Sequence, residues 1–379
     1  MAPTSTDHSG QTAPRRRVGP LGRTMIALGI AAPIVLGSSP AWASAPAPAP
    51  AATSAVTAAT LPLGVNFHGM WTSYTDAQRI AVLDSLRWAG VTSVRLDVSW
   101  AMMQPTNGTS YDAWGVGFID RVITMANDRG IKPLVMLWTT PGWANGNAGE
   151  RVLPTNPATY AAAAKYAATK WRGKVAGWEV WNEPNSAAYL TGADPVAYTR
   201  LLKAAYPALK AGDPATPVIT GGVEYNDTNW LTRMYNAGAQ GYFDAIATHP
   251  YMGVADADPA TPDDGTMWTL NHAAAVRQLM VARGDGAKKL WFTEFGWSSH
   301  PTAAGAPNHQ RGVTEAVQSA YLVKAATLIR NTMPYVQAMY WYADHDESTG
   351  NIQYDNYGIF GENLGAKPVF TGLRTSNTV

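Results

Sequence analysis

From residue 61 onward one unit repeats: a short apolar run, polar or aromatic residues, an amphipathic Ala/Leu-rich segment, and often a glycine. The apolar runs are Leu63–Phe67, Ser93–Val98, Pro133–Trp138, Gly177–Glu183, Pro217–Gly222, Phe243–His249, Leu290–Phe295 and Ala338–Tyr342, eight in all. Their ends fall near residues 67, 97, 137, 182, 222, 249, 294 and 341, so about 27 to 47 residues separate successive ends. Each interval has room for a loop and a helix. Short apolar runs bounded by turn signals suit strands buried on both faces. Thr75 and Asp76 precede Ile80, Leu83 and Leu86, a helix start, and Gly90, Gly130, Gly173 and Gly212 each end a periodic segment as left-handed caps do. Strand–helix alternation repeated eight times predicts one (β/α)8 (TIM) barrel over residues 61–379. The competing open doubly wound sheet needs a Gly-rich phosphate loop after its first strand, where Gly64 stands alone.

The first 60 residues do not share this rhythm. Arg15, Arg16 and Arg17 precede a short apolar stretch, Met25 to Gly37, and Ala41-Trp42-Ala43 has the small-x-small form of a cleavage site. Residues 1–43 are predicted to be a secretory signal peptide and residues 44–60 an Ala/Pro-rich linker. No later apolar run approaches 18 residues, so no membrane partner is expected after cleavage, and the mature protein is expected to be a secreted monomer. With no cysteine, zinc–thiolate sites, iron–sulfur clusters, thiol nucleophiles and disulfides are all excluded. Lys and Arg number 28 against 27 Asp and Glu, so no basic excess exists to grip a nucleic acid. The aromatic content leans to 15 Trp and 17 Tyr against 7 Phe, and flat rings with a polar edge suit sugar ligands.

Barrels of this kind carry their chemistry at the C-terminal ends of the strands. Two glutamates stand there, Glu183 closing strand four and Glu294 closing strand seven, each among aromatic residues. Acetal hydrolysis needs two such carboxyls, one to protonate the departing oxygen and one to attack the anomeric carbon or activate water.

Trp181-Asn182-Glu183-Pro184 resembles the asparagine–glutamate–proline signature of clan A glycoside hydrolases, and Thr293-Glu294-Phe295-Gly296 is similar to the strand-seven end of that clan. The resemblance spans roughly residues 63–375 and points to families 5 and 39. It implies that Glu183 is the acid/base, that Asn182 holds the sugar 2-hydroxyl and that Glu294 is the nucleophile. It further implies that Arg95 orients Glu294, that His249 and Tyr251 are the strand-six pair, and that Trp341 lies under the sugar. Leu137 through Trp143 and the tail from Tyr357 to Phe370 look more like family 39. The β-sandwich of family 39 xylosidases has no room after the last barrel helix, so their substrate does not carry over.

Glu294 must be ionised to attack, with Arg95 and Tyr251 as donors, whereas Glu183 must keep its proton through apolar neighbours and nearby negative charge. Glu179 is expected to be a paired core carboxylate one layer below Glu183. Glu224 is either a substrate contact or a rim residue, and His68 either lines a subsite or caps the barrel mouth. Trp138, Trp143 and Trp297 either stack on sugar rings or roof the barrel. Asp344, His345 and Asp346 resemble a metal cluster, but with a single histidine and no partner motif they read as a flexible strand-eight loop, so no metal and no cofactor are expected. The expectation is a secreted retaining glycosidase acting on β-linked poly- or oligosaccharides. The alternatives are a barrel that binds glycans without turnover and a metal-dependent barrel hydrolase.

Overall fold

Eight parallel staves close on themselves in the computed structural model, which describes residues 61–378. The expected signal peptide (1–43) and linker (44–60) lie outside the described residues. The strands are β1 Leu63–Asn66, β2 Ser93–Ser99, β3 Lys132–Trp138, β4 Gly177–Val180, β5 in two pieces (Val218–Thr220 and Val223–Glu224), β6 Ala245–His249, β7 Lys289–Phe295 and β8 Val336–Trp341. Chain neighbours pair in order, and β1 pairs with β8 through Val65 and Trp341 to close the ring. Among the described residues no helix is long and apolar enough to cross a membrane.

The helices start where the sequence supplies caps. Thr75 Oγ1 accepts the Gln78 N–H while Gln78 Oε1 accepts the Thr75 N–H, a reciprocal box that opens helix Asp76–Trp88. Asp112, Asn156, Asp194 and Thr314 cap later helices, each with a side-chain oxygen that accepts one backbone N–H. Gly90, Gly130 and Gly173 have the left-handed φ expected of them. Gly212 does not. It is the last residue of helix Pro195–Gly212, and a methyl there would meet Ala168 Cβ at 2.6 Å and Lys165 O at 2.8 Å. Gly212 therefore allows this helix to cross helix Pro157–Lys170 closely, and is not a cap.

Two apolar clusters lie on opposite sides of the barrel wall. The large one fills the space between strands and helices. The small one lies inside the barrel and is made of Leu134, Ile219, Ala245, Ala247, Trp291, Ala338 and Tyr340. Strand alternation turns these seven inward, with Ala245 and Ala247, and Ala338 and Tyr340, in successive layers.

Candidate active site

The next inward residues toward the strand C-termini are polar, and Arg95 ties them together. On β2, its Nε donates to Glu179 Oε2 at 2.6 Å, its Nη1 to Glu294 Oε1 at 2.5 Å and Asn66 Oδ1 at 3.0 Å, and its Nη2 to Asn182 Oδ1 at 2.7 Å. One buried guanidinium thus reaches side chains from the ends of β1, β4 and β7. Its two ion pairs balance the cost of burying the charge. Glu179 also accepts from Gly222 N at 3.0 Å and Thr293 Oγ1 at 2.9 Å, which makes it the paired core carboxylate expected.

β4 ends at Val180, three residues before the expected end at Glu183. Trp181 and Glu183 have left-handed φ values of 73° and 39°, conformations that side chains normally avoid. This strained exit, closed by the Ser186 N–H to Glu183 O bond of 2.9 Å, breaks the strand alternation and puts both Asn182 and Glu183 on the cavity wall. Asn182 Nδ2 makes no hydrogen bond to the described residues and is free to donate.

His249, fully buried at the end of β6, sits behind Glu183. Its Nδ1 lies 2.7 Å from Glu183 Oε1 and its Nε2 3.0 Å from Thr293 Oγ1. The Thr293 hydroxyl donates to Glu179, so it accepts from His249 Nε2–H. Burial, with Arg95 nearby, holds the imidazole neutral far below its ordinary pKa, which leaves Nδ1 as an acceptor. The donor on the other side is then a protonated Glu183. Consistent with this, burial and the adjacent Glu294 charge raise Glu183 well above the ordinary carboxyl range. Burial also raises Glu294, but Arg95 and the Tyr251 hydroxyl, 2.9 Å from Glu294 Oε2, oppose it. One oxygen of Glu183 and one of Glu294 lie within 4.8 Å of each other.

Both carboxyls open into a cavity of about 970 Å³ at the strand C-termini. Glu224, His68 and Trp138 line it. Three expected tryptophans do not reach it. Trp341 is fully buried, its indole N–H donating to Tyr357 O at 3.1 Å, and Tyr342 beside it lines the cavity instead. Trp297 is buried against Trp341 with its N–H on Ala257 O, and Trp143 donates to Gln104 O at 2.7 Å under the β2–β3 loops. Trp341 and Trp297 belong to the cluster between strands and helices, and Trp143 packs against it. Trp71, Tyr189, Tyr225 and Trp268 supply the aromatic walls that sequence reasoning missed. Asp97 was also missed. It lies two residues beyond Arg95 on the same strand face, lines the cavity, and has no side-chain hydrogen bond to the described residues. Burial raises its pKa. Period-two alternation from Arg95 could have found it.

Gly222, at the break in β5, is where this network leaves no space. A methyl there would collide with His249 Nε2 and Thr293 Oγ1. Gly222→Ala is expected to lower kcat/KM by roughly 10²-fold by displacing His249 and Glu183. It should also cost about 1–3 kcal/mol of stability. Steady-state kinetics and urea unfolding of the same preparation check both effects.

A family model described as cellulase (glycosyl hydrolase family 5) matches residues 56–344. A family 39 glycoside hydrolase from Bacteroides cellulosilyticus WH2 superposes with a TM-score of 0.68 at 24% identity, over 84% of this chain and 64% of that one. This chain therefore spans less than two thirds of that protein's length. A family 39 β-xylosidase from Caulobacter crescentus gives 0.63 at 20% identity, covering 85% and 72% of the two chains. A family 5 subfamily 18 protein from Streptomyces cattleya, solved with Manβ1-4GlcNAc, gives 0.65 at 17% identity, covering 83% and 80%. At these identities the likeness is one of fold.

Proposed function

The chain belongs to glycosyl hydrolase family 5, and on that premise we propose that it is a retaining glycosidase, secreted after loss of residues 1–43, that cleaves β-linked poly- or oligosaccharides with Glu294 as nucleophile and Glu183 as acid/base. The observation that carries this reading is the short gap between the two carboxyls, within 4.8 Å at their nearest oxygens. Retaining enzymes hold the pair about 5–5.5 Å apart, whereas inverting ones leave about 6.5–9.5 Å for a water.

The proposed chemistry follows from the protonation states. Glu294, held by Arg95 and Tyr251, attacks the anomeric carbon as the glycosidic C–O bond breaks, and Glu183 passes its proton to the leaving oxygen. The bond to Glu294 removes its negative charge, which after burial does most to raise the Glu183 pKa. Glu183, now ionised, is then a weaker base than the preceding state would suggest but strong enough to take a proton from water. That water attacks the same carbon and frees Glu294. Asn182 Nδ2 is placed to donate to a hydroxyl of the sugar ring. A barrel that only binds glycans has no use for a protonated carboxyl opposite an ionised one.

The charge of the cavity favours neutral sugars over uronates. Among the described residues, Asp97, Glu224, Asp264 and Glu294 line it, beside the protonated Glu183, against a single guanidinium, Arg95, already bound to two carboxylates. A hydrolysis screen over neutral and uronate-containing β-glycans identifies the substrate. Proton NMR of the first product formed tests the mechanism: a β-configured product is expected, and an α-configured first product would overturn the assignment.

A further inference from the structure

We propose that His68, Asp344 and His345 form a binding site for one divalent transition-metal cation of the zinc type, at the cavity rim where the exits of β1 and β8 meet. This site stands apart from the hydrolytic reading and uses no atom of Glu183 or Glu294. Asp344 and His345 were expected to belong to a flexible loop with a single histidine. The fold instead buries Asp344 completely and brings a second imidazole to it from β1. Asp346, the other acid of that sequence cluster, is taken up by Lys367 at 2.8 Å.

His68 Nδ1 lies 2.9 Å and His345 Nδ1 3.2 Å from the same oxygen, Asp344 Oδ1. One donor atom from each of the three residues lies within 4.8 Å of those of the other two. Yet neither Nδ1 is aligned for a hydrogen bond, and both are buried without a partner. Two unpartnered buried ring nitrogens beside one carboxylate oxygen are costly in the absence of a further group. A cation with metal–nitrogen and metal–oxygen bonds of about 2.0–2.2 Å separates tetrahedral donors by roughly 3.3–3.6 Å, a small adjustment from the 2.9 and 3.2 Å between each imidazole nitrogen and Asp344 Oδ1.

The surroundings hold the donors in place. His68 stacks on Trp71 with ring centroids 4.3 Å apart, and the His345 ring lies 4.7 Å from that of Tyr74. Asp344 accepts from His68 N at 3.1 Å and from the Tyr74 hydroxyl at 3.3 Å, and its own N–H donates to Asn66 O at 2.9 Å. Such outer contacts orient metal ligands. Two imidazoles with one carboxylate select zinc-like ions over calcium or magnesium, which prefer oxygen donors. The second triad of ligand types, Glu183, His249 and Glu294, differs in kind. There His249 is engaged at both nitrogens and Glu294 at both oxygens.

The test is calorimetric titration of tag-free, EDTA-treated protein with Zn²⁺, together with thermal unfolding with and without the ion. The expected result is one ion per chain, with a dissociation constant on the order of 1 µM or tighter. At about 100-fold excess over that constant, Tm should rise by several degrees, because the ion joins the two strand exits. His345→Ala removes a ligand that packs on His68, Trp71 and Tyr74, so its fold is checked by cooperative unfolding, and it should weaken binding about 100-fold or more and abolish the Tm shift. Asp344→Asn should do the same, and if it fails to fold the His345→Ala result decides. Glu294→Gln should bind Zn²⁺ as the natural protein does. Absence of saturable binding, undiminished binding by His345→Ala, or loss of binding in Glu294→Gln would each overturn the proposal.

Discussion

Glu294→Ala is expected to lower kcat by on the order of 10⁴-fold or more, because it removes the atom that forms the covalent intermediate. The fold should survive. Glu294 stands at the cavity floor, and Arg95 keeps its pair with Glu179 at 2.6 Å, so no buried charge is orphaned. Thermal unfolding of the variant should therefore remain cooperative. Added azide should restore part of the rate. A small anion can occupy the vacated space beside Tyr251, attack the anomeric carbon from the nucleophile's side, and leave a glycosyl azide of inverted configuration. The measurement is turnover of an activated aryl β-glycoside with and without azide, with the product identified by NMR. Near-normal turnover by the variant would dismiss Glu294 as nucleophile.

Glu183→Gln has the next largest effect, and the effect should depend on the substrate. The amide keeps the shape of the side chain but has no acidic proton. Losses of roughly 10²–10⁴-fold are expected where the leaving group needs protonation. The first step on an activated aryl glycoside should slow far less. In the natural protein kcat/KM should follow a bell in pH. Activity falls on the acid side as Glu294 gains a proton and on the alkaline side as Glu183 loses one. Burial and the Glu294 charge raise Glu183 well above the carboxyl range, so the alkaline limb lies well above an ordinary glutamate pKa. The two groups interact, so the limbs belong to the pair and not to single residues. In Glu183→Gln the alkaline limb should flatten. A leaving-group series at several pH values measures both features. Equal losses across the series with an unchanged bell would remove Glu183 from the acid role.

The barrel was legible because each strand–helix unit carries its own signals: an apolar run, a cap such as Thr75, a stop such as Gly90. Glu183 and Glu294 were legible because strand ends in a barrel converge on one place, Arg95 and Tyr251 through the resemblance, and all four do meet there. What depends on register beyond a strand end was not. Trp341 and Tyr342 differ by one position, and only the course of β8 decides which of them faces the cavity. Trp143 and Trp297 are held away from the cavity by hydrogen bonds to loop carbonyls, which periodicity does not encode. His68 and Asp344 lie 276 residues apart and meet only because the first and last strands pair. Gly212 resembled a cap because a glycine at a helix end has the same sequence signature whether it serves φ or close packing.

The barrel wall separates the seven apolar residues inside from the much larger cluster outside. Only the inner seven underlie Arg95 and the carboxyls. The wall therefore acts as a firebreak for sequence drift. Substitutions that repack the helical jacket can accumulate, trading heat tolerance up or down, without moving the reactive oxygens. A change at Ala247 or Trp291 is transmitted at once to the floor on which the chemistry stands. Engineers seeking a sturdier protein should work on the jacket, and those seeking altered reactivity should begin with the seven.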